Sequence, residues 1–387
     1  MSETPLPMIT KVKFEGFKLL RDVEFALGRF NVIVGENGTG KSSILEGLHY
    51  LLQVAAPTRK RQFSVLERLQ ALMAEAGGPP AFCSKPAASR FSLGLATKGV
   101  RDLHVAWQTD GNGEATASVY FDPDGSTEGS RAVARRDAML FQSPEFTSLG
   151  LDSVALLRLS VSELAEEHYS DDQNPRVEHD GTGLASVLQE LQNARDGRFE
   201  RIEADLQKVV PGARRIRTTR AKIVRREKIK ITIDGQDSWS DQEKTYIGAG
   251  IEVEWGNVGW VPARHLSEGT LLALGLCTVL HHRPPSLLLL DDLDKALHPK
   301  AQRELVQLLR TILAGNDQLQ ILATTHSPFV VDEFAPEDVL VVASLDGNSS
   351  QVRRLSEHPK ANDKKQYLET GEFWSAVGER WAAEKRA

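Results

Sequence analysis

Two cysteines, Cys83 and Cys277, are all that 387 residues contain. That number rules out a disulfide framework and any Cys-rich metal knuckle, and it suits a reducing compartment. Long hydrophobic runs are also missing. The longest apolar run surrounds Leu287–Leu290 and is far too short to cross a bilayer. The opening MSETPLPMITKVKF has no basic-then-apolar leader. These absences together lead to the expectation of a cytoplasmic protein without membrane contact. There is no excess of positive charge either. The formal net charge is -6, which argues against a general nucleic-acid coat but not against a local basic patch. No internal repeat or low-complexity tract is visible.

Apolar content of 41% and charged content of 26% are those of a globular chain able to bury a sizeable core. KVKFEGF and VEFAL read as short strands, and FNVIVG as a buried strand ending in glycine. SSILEGLHYLLQVAA reads as a helix. Strand, glycine loop and helix open an α/β domain. From Pro57 to Gly250 the texture changes. Loop-like PTRKRQF and AGGPPAFCSKPAASR precede two strands, HVAWQ and ASVYF. One or two amphipathic helices follow in GLASVLQELQNARDGRFERIEADLQKVV, and then RRIRTTRAKIVRREKIKITIDG, read as two strands. This portion looks like an insertion dividing one fold. The second half supplies IEVEW, a helix after LSEGT, the buried strand SLLLLDD, the helix KAQRELVQLLRTILAG and the strand QLQILATTH. Two short strands, DVLVVAS and SQVRRL, and a helical end complete it. The expected organisation is a first lobe over residues 1–56, an inserted α+β lobe over 57–250, a second lobe over 251–356 and a helical tail over 357–387.

GENGTGKS (Gly35–Ser42) satisfies G-x-x-x-x-G-K-[ST] between a strand and a helix. Its glycines let backbone N–H groups wrap a phosphate, and the helix N-terminus adds partial positive charge. The phosphate cradle comprises Gly35, Glu36, Asn37, Gly38, Thr39, Gly40, Lys41, Ser42 and Ser43. Lys41 is expected to reach the β/γ-phosphates of ATP, and Ser42 to hold Mg²⁺. Asp291 emerges at the carboxyl end of LLLL, where ligands sit in open α/β sheets, and becomes the second Mg²⁺ ligand. Asp292 is the candidate general base or water-orienting group. His326 ends the next buried strand at the same edge and reads as a γ-phosphate sensor.

In order, these motifs are phosphate loop, insertion, LSEGT, LLLLDD, LDKALHP and TTHSP. The chain resembles the ATP-binding-cassette (ABC) class of ATPase heads, within the branch containing RecF, SMC and OLD (overcoming-lysogenization-defect) proteins, often called AAA-type. The resemblance covers roughly residues 10–55 and 250–345. It implies an α/β P-loop NTPase head, a mixed sheet with flanking helices, carrying a long α+β insertion. It also implies that Ser267 and Gly269 of LSEGT contact the γ-phosphate of ATP held by a second copy, so that two heads sandwich two nucleotides. Where the family usually has Glu, this chain has Asp292. The shorter side chain implies slow hydrolysis and an ATP-gated clamp. The family also carries a Mg²⁺-linking glutamine, for which Gln142 is the candidate; an ordinary loop amide remains an equal alternative. Phe17 or Lys18 is placed near the adenine.

OLD-branch heads often work beside, or fused to, a Toprim-type nuclease in anti-phage systems. The chain shows no room for that nuclease, which points to a separate effector. The dimer, with a higher oligomer left open, is the first partner expected. A RecF/SMC-type DNA-binding head for repair or chromosome maintenance is the alternative; the missing heptad arms disfavour SMC. A transporter subunit fits less well. Arg214, Arg215, Arg217, Arg220, Lys222, Arg225, Arg226, Lys228 and Lys230 offer a phosphate-tracking surface for nucleic acid, or a solvated face. No aromatics interleave them, which gives base stacking no support. Phe373, Trp374, Val377 and Trp381 form an apolar stripe, open either to their own domain or to a partner.

Overall fold

The computed structural model describes residues 9–55, 65–75, 83, 90–97, 100–109, 115–122, 153–233, 236–344, 347–361 and 368–384. The chain divides into two compact units. Unit 1 comprises Met1–Leu156, Pro285–Asp294 and Leu309–Ala387, and unit 2 comprises Leu157–Pro284 and Lys295–Leu308.

Unit 1 begins with β1 (Ile9–Phe17), β2 (Leu20–Ala26) and β3 (Phe30–Val34), then helix α1 (Lys41–Ala55), α2 (Val65–Glu75), β4 (Arg90–Thr97), β5 (Val100–Thr109) and β6 (Ala115–Asp122). Strands β4, β5 and β6, which the sequence reading put in the inserted lobe, extend the sheet that β1 and β2 start. It is five-stranded, in the order β2-β1-β4-β5-β6, and every pair is antiparallel. A second sheet has the order β14-β13-β3-β12-β11-β7, with β14 (Gln351–Arg354) at one edge and β7 (Val154–Leu157) at the other. Its central strands β3, β11 (Leu287–Leu290), β12 (Gln320–Thr324) and β13 (Val339–Ala343) are buried at every position. They run parallel, which explains why the sequence shows unbroken apolar runs there instead of alternation. Gln320 opens β12 and is buried. Its side-chain amide donates to the carbonyls of Ile9 and Gly28, both at 2.7 Å, and accepts from the Ile9 N–H at 3.1 Å. The start of β12 is thereby tied to β1 with its polar atoms satisfied.

Unit 2 holds α3 (Val161–Ala165), α4 (Leu184–Ala194), α5 (Arg198–Val209), β8 (Ala213–Ile233), β9 (Gln236–Trp255), β10 (Gly259–Pro262) and α6 (Glu268–His282). Two amphipathic helices stand where the sequence allowed one or two. The break falls at Arg195 and Gly197, both with positive φ. The basic segment is a correction. It is one 21-residue strand, not two. No glycine or proline interrupts Ala213–Ile233, and β9 pairs with it from Trp255 to Gln236. Helix α7 (Pro299–Ala314) follows α6 and β11 and runs from unit 2 into unit 1.

The end of the chain carries α8 (Pro328–Val331), β14 (Gln351–Arg354), α9 (Thr370–Val377) and α10 (Arg380–Ala383). The apolar stripe does not survive as a partner surface. Gly378 at φ 63° ends α9, which puts Trp381 on a separate helix. Phe373 and Trp374 are buried in unit 1. The Gly371 N–H donates to Asp332 Oδ1 at 2.8 Å, and the Trp381 ring meets His358 edge-on at 5.0 Å. Phe17, one of the two residues placed near the adenine, is 0% exposed in the core, and the other, Lys18, is half-buried and pairs with Glu46. Among the described residues no helix is long and apolar enough to cross a membrane.

Gly47 lets α1 lie directly on the aromatic core. A Cβ there would meet Phe14 Cε1 at 2.4 Å and Phe17 Cε1 at 3.0 Å. Overpacking of this kind costs about 1–3 kcal/mol. Gly47→Ala should therefore lower the unfolding free energy by that amount, seen as a lower urea midpoint; an unchanged midpoint in urea titration would contradict the packing described.

Candidate functional site

Parallel pairing sets the site. Strand β12 lies between β3 and β11, with Ile33 opposite Thr324 and Leu290 opposite Ala323. The carboxyl ends of all three strands therefore open on one edge, and each delivers a candidate residue group there.

From β3 the chain enters the glycine loop. Gly35, Gly38 and Gly40 have φ of 155°, 77° and 98°. A Cβ on Gly35 would meet the Val342 carbonyl oxygen at 2.3 Å, so β13 backs the loop closely. Thr39 donates its hydroxyl to the Glu36 carbonyl at 2.8 Å, and Ser350 donates to the Thr39 carbonyl at 2.6 Å. Glu36, Asn37 and Gly38 are exposed. The first hydrogen bond of α1 runs from Ile44 N to Gly40 O at 3.1 Å, so Lys41, Ser42 and Ser43 occupy its first turn, whose N–H groups are free to meet an anion. The buried Lys41 ammonium donates to the Gly35 and Glu36 carbonyls at 2.8 and 2.9 Å. Burial pushes its pKa below the ordinary lysine value, against an opposing pull from Asp292, Asp291, Glu379 and Asp294.

From β11 come the two aspartates. Asp291 Oδ1 accepts from the Ser42 hydroxyl at 3.1 Å and from the Thr324 hydroxyl at 2.8 Å. Thr324 accepts in turn from the Asp292 N–H at 2.8 Å. Asp292 is exposed and left-handed, at φ 59°. Asp tolerates that backbone because its short polar side chain can bond locally, which a longer Glu does less well. This is a physical reason for Asp at a position where the resemblance leads one to expect Glu. Ser42 and Asp291 provide hard oxygen donors side by side, the kind that holds Mg²⁺ together with phosphate oxygens and water. The residues present therefore fit Mg²⁺ and a nucleoside triphosphate.

From β12 comes His326, its ring exposed. Its N–H donates to Asp294 Oδ1 at 3.1 Å, and the Thr325 hydroxyl donates to the same oxygen. Thr324 and Asp294 are the positioning residues that sequence reading missed. Only the TT before His326 and the third aspartate in DDLD hinted at them. Glu379, beyond Gly378, was missed as well; nothing in its sequence context signals proximity to Lys41.

Ser267 and Gly269 lie in unit 2. Ser267 is exposed and caps α6, its Oγ accepting from Thr270 N at 3.3 Å. A Cβ on Gly269 would meet Leu297 Cδ2 at 2.9 Å and the Ala296 carbonyl at 3.0 Å, so the start of the helix sits tightly on the LDKALHP loop. Gln142 lies outside the described residues.

The fold is that of a P-loop NTPase head, and its site carries the residues of an AAA-type ATP-binding domain. The family described as "AAA domain, putative AbiEii toxin, Type IV TA system" matches residues 134–332, just over half of the chain, and the chain belongs to it. An "AAA ATPase domain" also matches residues 8–88. A putative ABC transporter ATP-binding protein of Streptomyces avermitilis is 41% identical over 92 residues, 23% of this chain and 16% of that one. Septu protein PtuA of Bacillus thuringiensis is 36% identical over 69 residues, 18% of this chain and 17% of that one. The matched stretch is thus only about a sixth of either relative's length. Among solved structures, an Smc head bound to the C-winged helix domain of ScpA superposes with a TM-score of 0.57 at 15% identity, covering 92% of this chain and all of that one. The Smc head with extended coiled coil, bound to the C-terminal domain of ScpA from Pyrococcus furiosus, gives 0.56 at 13% identity, covering 93% of this chain and all of that one. At these identities the likeness concerns the fold.

Thr324→Val keeps the volume but removes the hydroxyl, leaving the Asp292 N–H and one Asp291 contact unmet. The expected loss is about 1–3 kcal/mol of stability, largely restored by Thr324→Ser. Equal denaturation midpoints for the Val and Ser variants would overturn the positioning role.

Proposed function

We propose that this chain is an ATP-gated clamp. Two copies close face to face around two molecules of ATP, hydrolysis is slow, and the closed pair gates a separate effector in bacterial anti-phage defence, for which a Toprim-like nuclease is the leading kind. The observation that carries the reading is the meeting of Lys41, Ser42, Asp291, Asp292 and His326 at one strand edge. Lys41 would engage the β/γ-phosphates, Ser42 and Asp291 would hold Mg²⁺, Asp292 would orient the attacking water, and His326 would sense the γ-phosphate. Exposed Ser267, with Gly269, begins a helix whose N-terminal N–H groups suit a phosphate presented by a second copy. Slow turnover follows from the shorter reach of Asp292, since a displacement of about 1 Å can cost on the order of 100-fold. The stretch shared with Septu protein PtuA, and a family described by a toxin of a TA system, support the defence setting.

A RecF/SMC-like role in DNA repair or chromosome maintenance is the second reading. The Smc-head fold and the exposed cations of β8 favour it. DNA-stimulated ATP hydrolysis would mark that role.

Light scattering tests the clamp. With ATP and Mg²⁺, Asp292→Asn should accumulate as a dimer, Lys41→Ala should bind no ATP and stay unassociated, and Ser267→Arg should bind ATP without dimerising. Nucleotide-independent association in all three would refute the clamp, and ATP binding by Lys41→Ala would refute the site.

A further inference from the structure

Glycine gives the phosphate loop its shape and also leaves it loose. Gly38 and Gly40 hold φ of 77° and 98°, which glycine adopts without strain. The same freedom lets a peptide unit beside them turn over at little cost. A phosphate cradle works only while its N–H groups point at the anion and its carbonyls point away. The direction each peptide faces therefore has to be fixed by a partner.

Ser350 is that partner for the peptide between Thr39 and Gly40. It lies just before β14, is 0% exposed and belongs to none of the motifs. Its hydroxyl donates to the Thr39 carbonyl at 2.6 Å. Its own N–H donates to the Leu19 carbonyl at 2.9 Å, so the residue that holds the loop is itself tied to the turn between β1 and β2. A planar trans peptide points its C=O and its N–H in opposite directions. With the Thr39 carbonyl turned onto buried Ser350, the Gly40 N–H faces the other way. A Cβ on Gly40 would lie 3.6 Å from Ser350 Oγ and 3.7 Å from Leu20 Cδ2, which is ordinary contact. Glycine stands there for its φ and not for want of space.

The remaining bonds of the loop act elsewhere. Thr39 Oγ1 and the Lys41 ammonium fix the carbonyls of Gly35 and Glu36, at the start of the loop. Ser350 acts at the far end, where the loop becomes α1. We propose that Ser350 is a positioning residue for the phosphate site. It holds the Thr39 carbonyl against the core and so keeps the Gly40 N–H aimed at the α/β-phosphates of the nucleotide. This role rests on the ATP site proposed above. Without the hydroxyl, the buried Thr39 carbonyl either stays unpaired or turns outward and sets its negative end against phosphate. Both outcomes weaken nucleotide binding.

Isothermal titration calorimetry of the full chain with ATP and with ADP, each with Mg²⁺, gives the test. Ser350→Ala should raise the Kd of both nucleotides by the same factor, about 10-fold, because the loop grips phosphates that the two share. Ser350→Cys keeps a weaker donor of similar shape and should fall between Ser350→Ala and the wild type. Ser344→Ala is the control. Ser344 donates to the Ser349 carbonyl at 2.6 Å, so its loss loosens the same connection between β13 and β14 through a bond that ends within it. Its affinity for both nucleotides should match that of the wild type. An unchanged Kd in Ser350→Ala, an equal loss in Ser344→Ala, or a loss confined to ATP would each overturn the positioning role while leaving the site intact. Wild-type protein that binds neither nucleotide would refute the phosphate site itself, and this role with it.

Discussion

One hydroxyl, that of Thr324, joins the two strand ends on which the site depends. It donates to Asp291 at 2.8 Å and accepts from the Asp292 N–H at 2.8 Å, while Ser42 of the phosphate loop reaches the same Asp291 oxygen at 3.1 Å. Three segments far apart in the chain are thereby held within hydrogen-bond distance. The arrangement relies on β12 lying between β3 and β11 in fixed register. A slip of one residue would turn Thr324 to the opposite face of the sheet and release both aspartates. The unbroken burial of these strands makes such a slip costly.

Around that link, backbone shape and charge cooperate. Asp292 takes a left-handed turn that suits a short acid, and Asp294 pins the end of β12 through Thr325 and the N–H of His326. Burial of Lys41 alone would disfavour its charge, and the surrounding carboxylates oppose that loss. Glu379 belongs to this set although it comes from the end of the described chain. The closing helices α9 and α10 therefore contribute to the electrostatics of the edge as well as to packing.

Much of the site was legible in the sequence, because the phosphate loop is a local motif whose glycines and lysine have no common alternative use. The buried strands were legible because a parallel sheet forces continuous apolar runs. Thr324 and Asp294 were not, since a threonine in a strand and an acid in a loop carry no signal until register brings them to Asp291 and His326. The basic segment misled in a related way. Composition presents nine equivalent cations, yet only cross-strand pairing decides which have an acid opposite. Its length was misread too, because a 21-residue strand lies outside ordinary expectation. The tail was read as one stripe; Gly378 at φ 63° breaks it, and the ring packing of Phe373, Trp374 and Trp381 turns it inward.

Unit 2 supplies the complementary half of the account. Its helix α6 opens with exposed Ser267, and only a glycine at 269 lets the helix settle on Ala296 and Leu297. The most direct measurement of the central claim is a structure of the Asp292→Asn protein with ATP and Mg²⁺. The account predicts each γ-phosphate held between Lys41 of one copy and Ser267 of the other. A γ-phosphate touched by one polypeptide alone, with Ser267 turned away in every assembly, would contradict it.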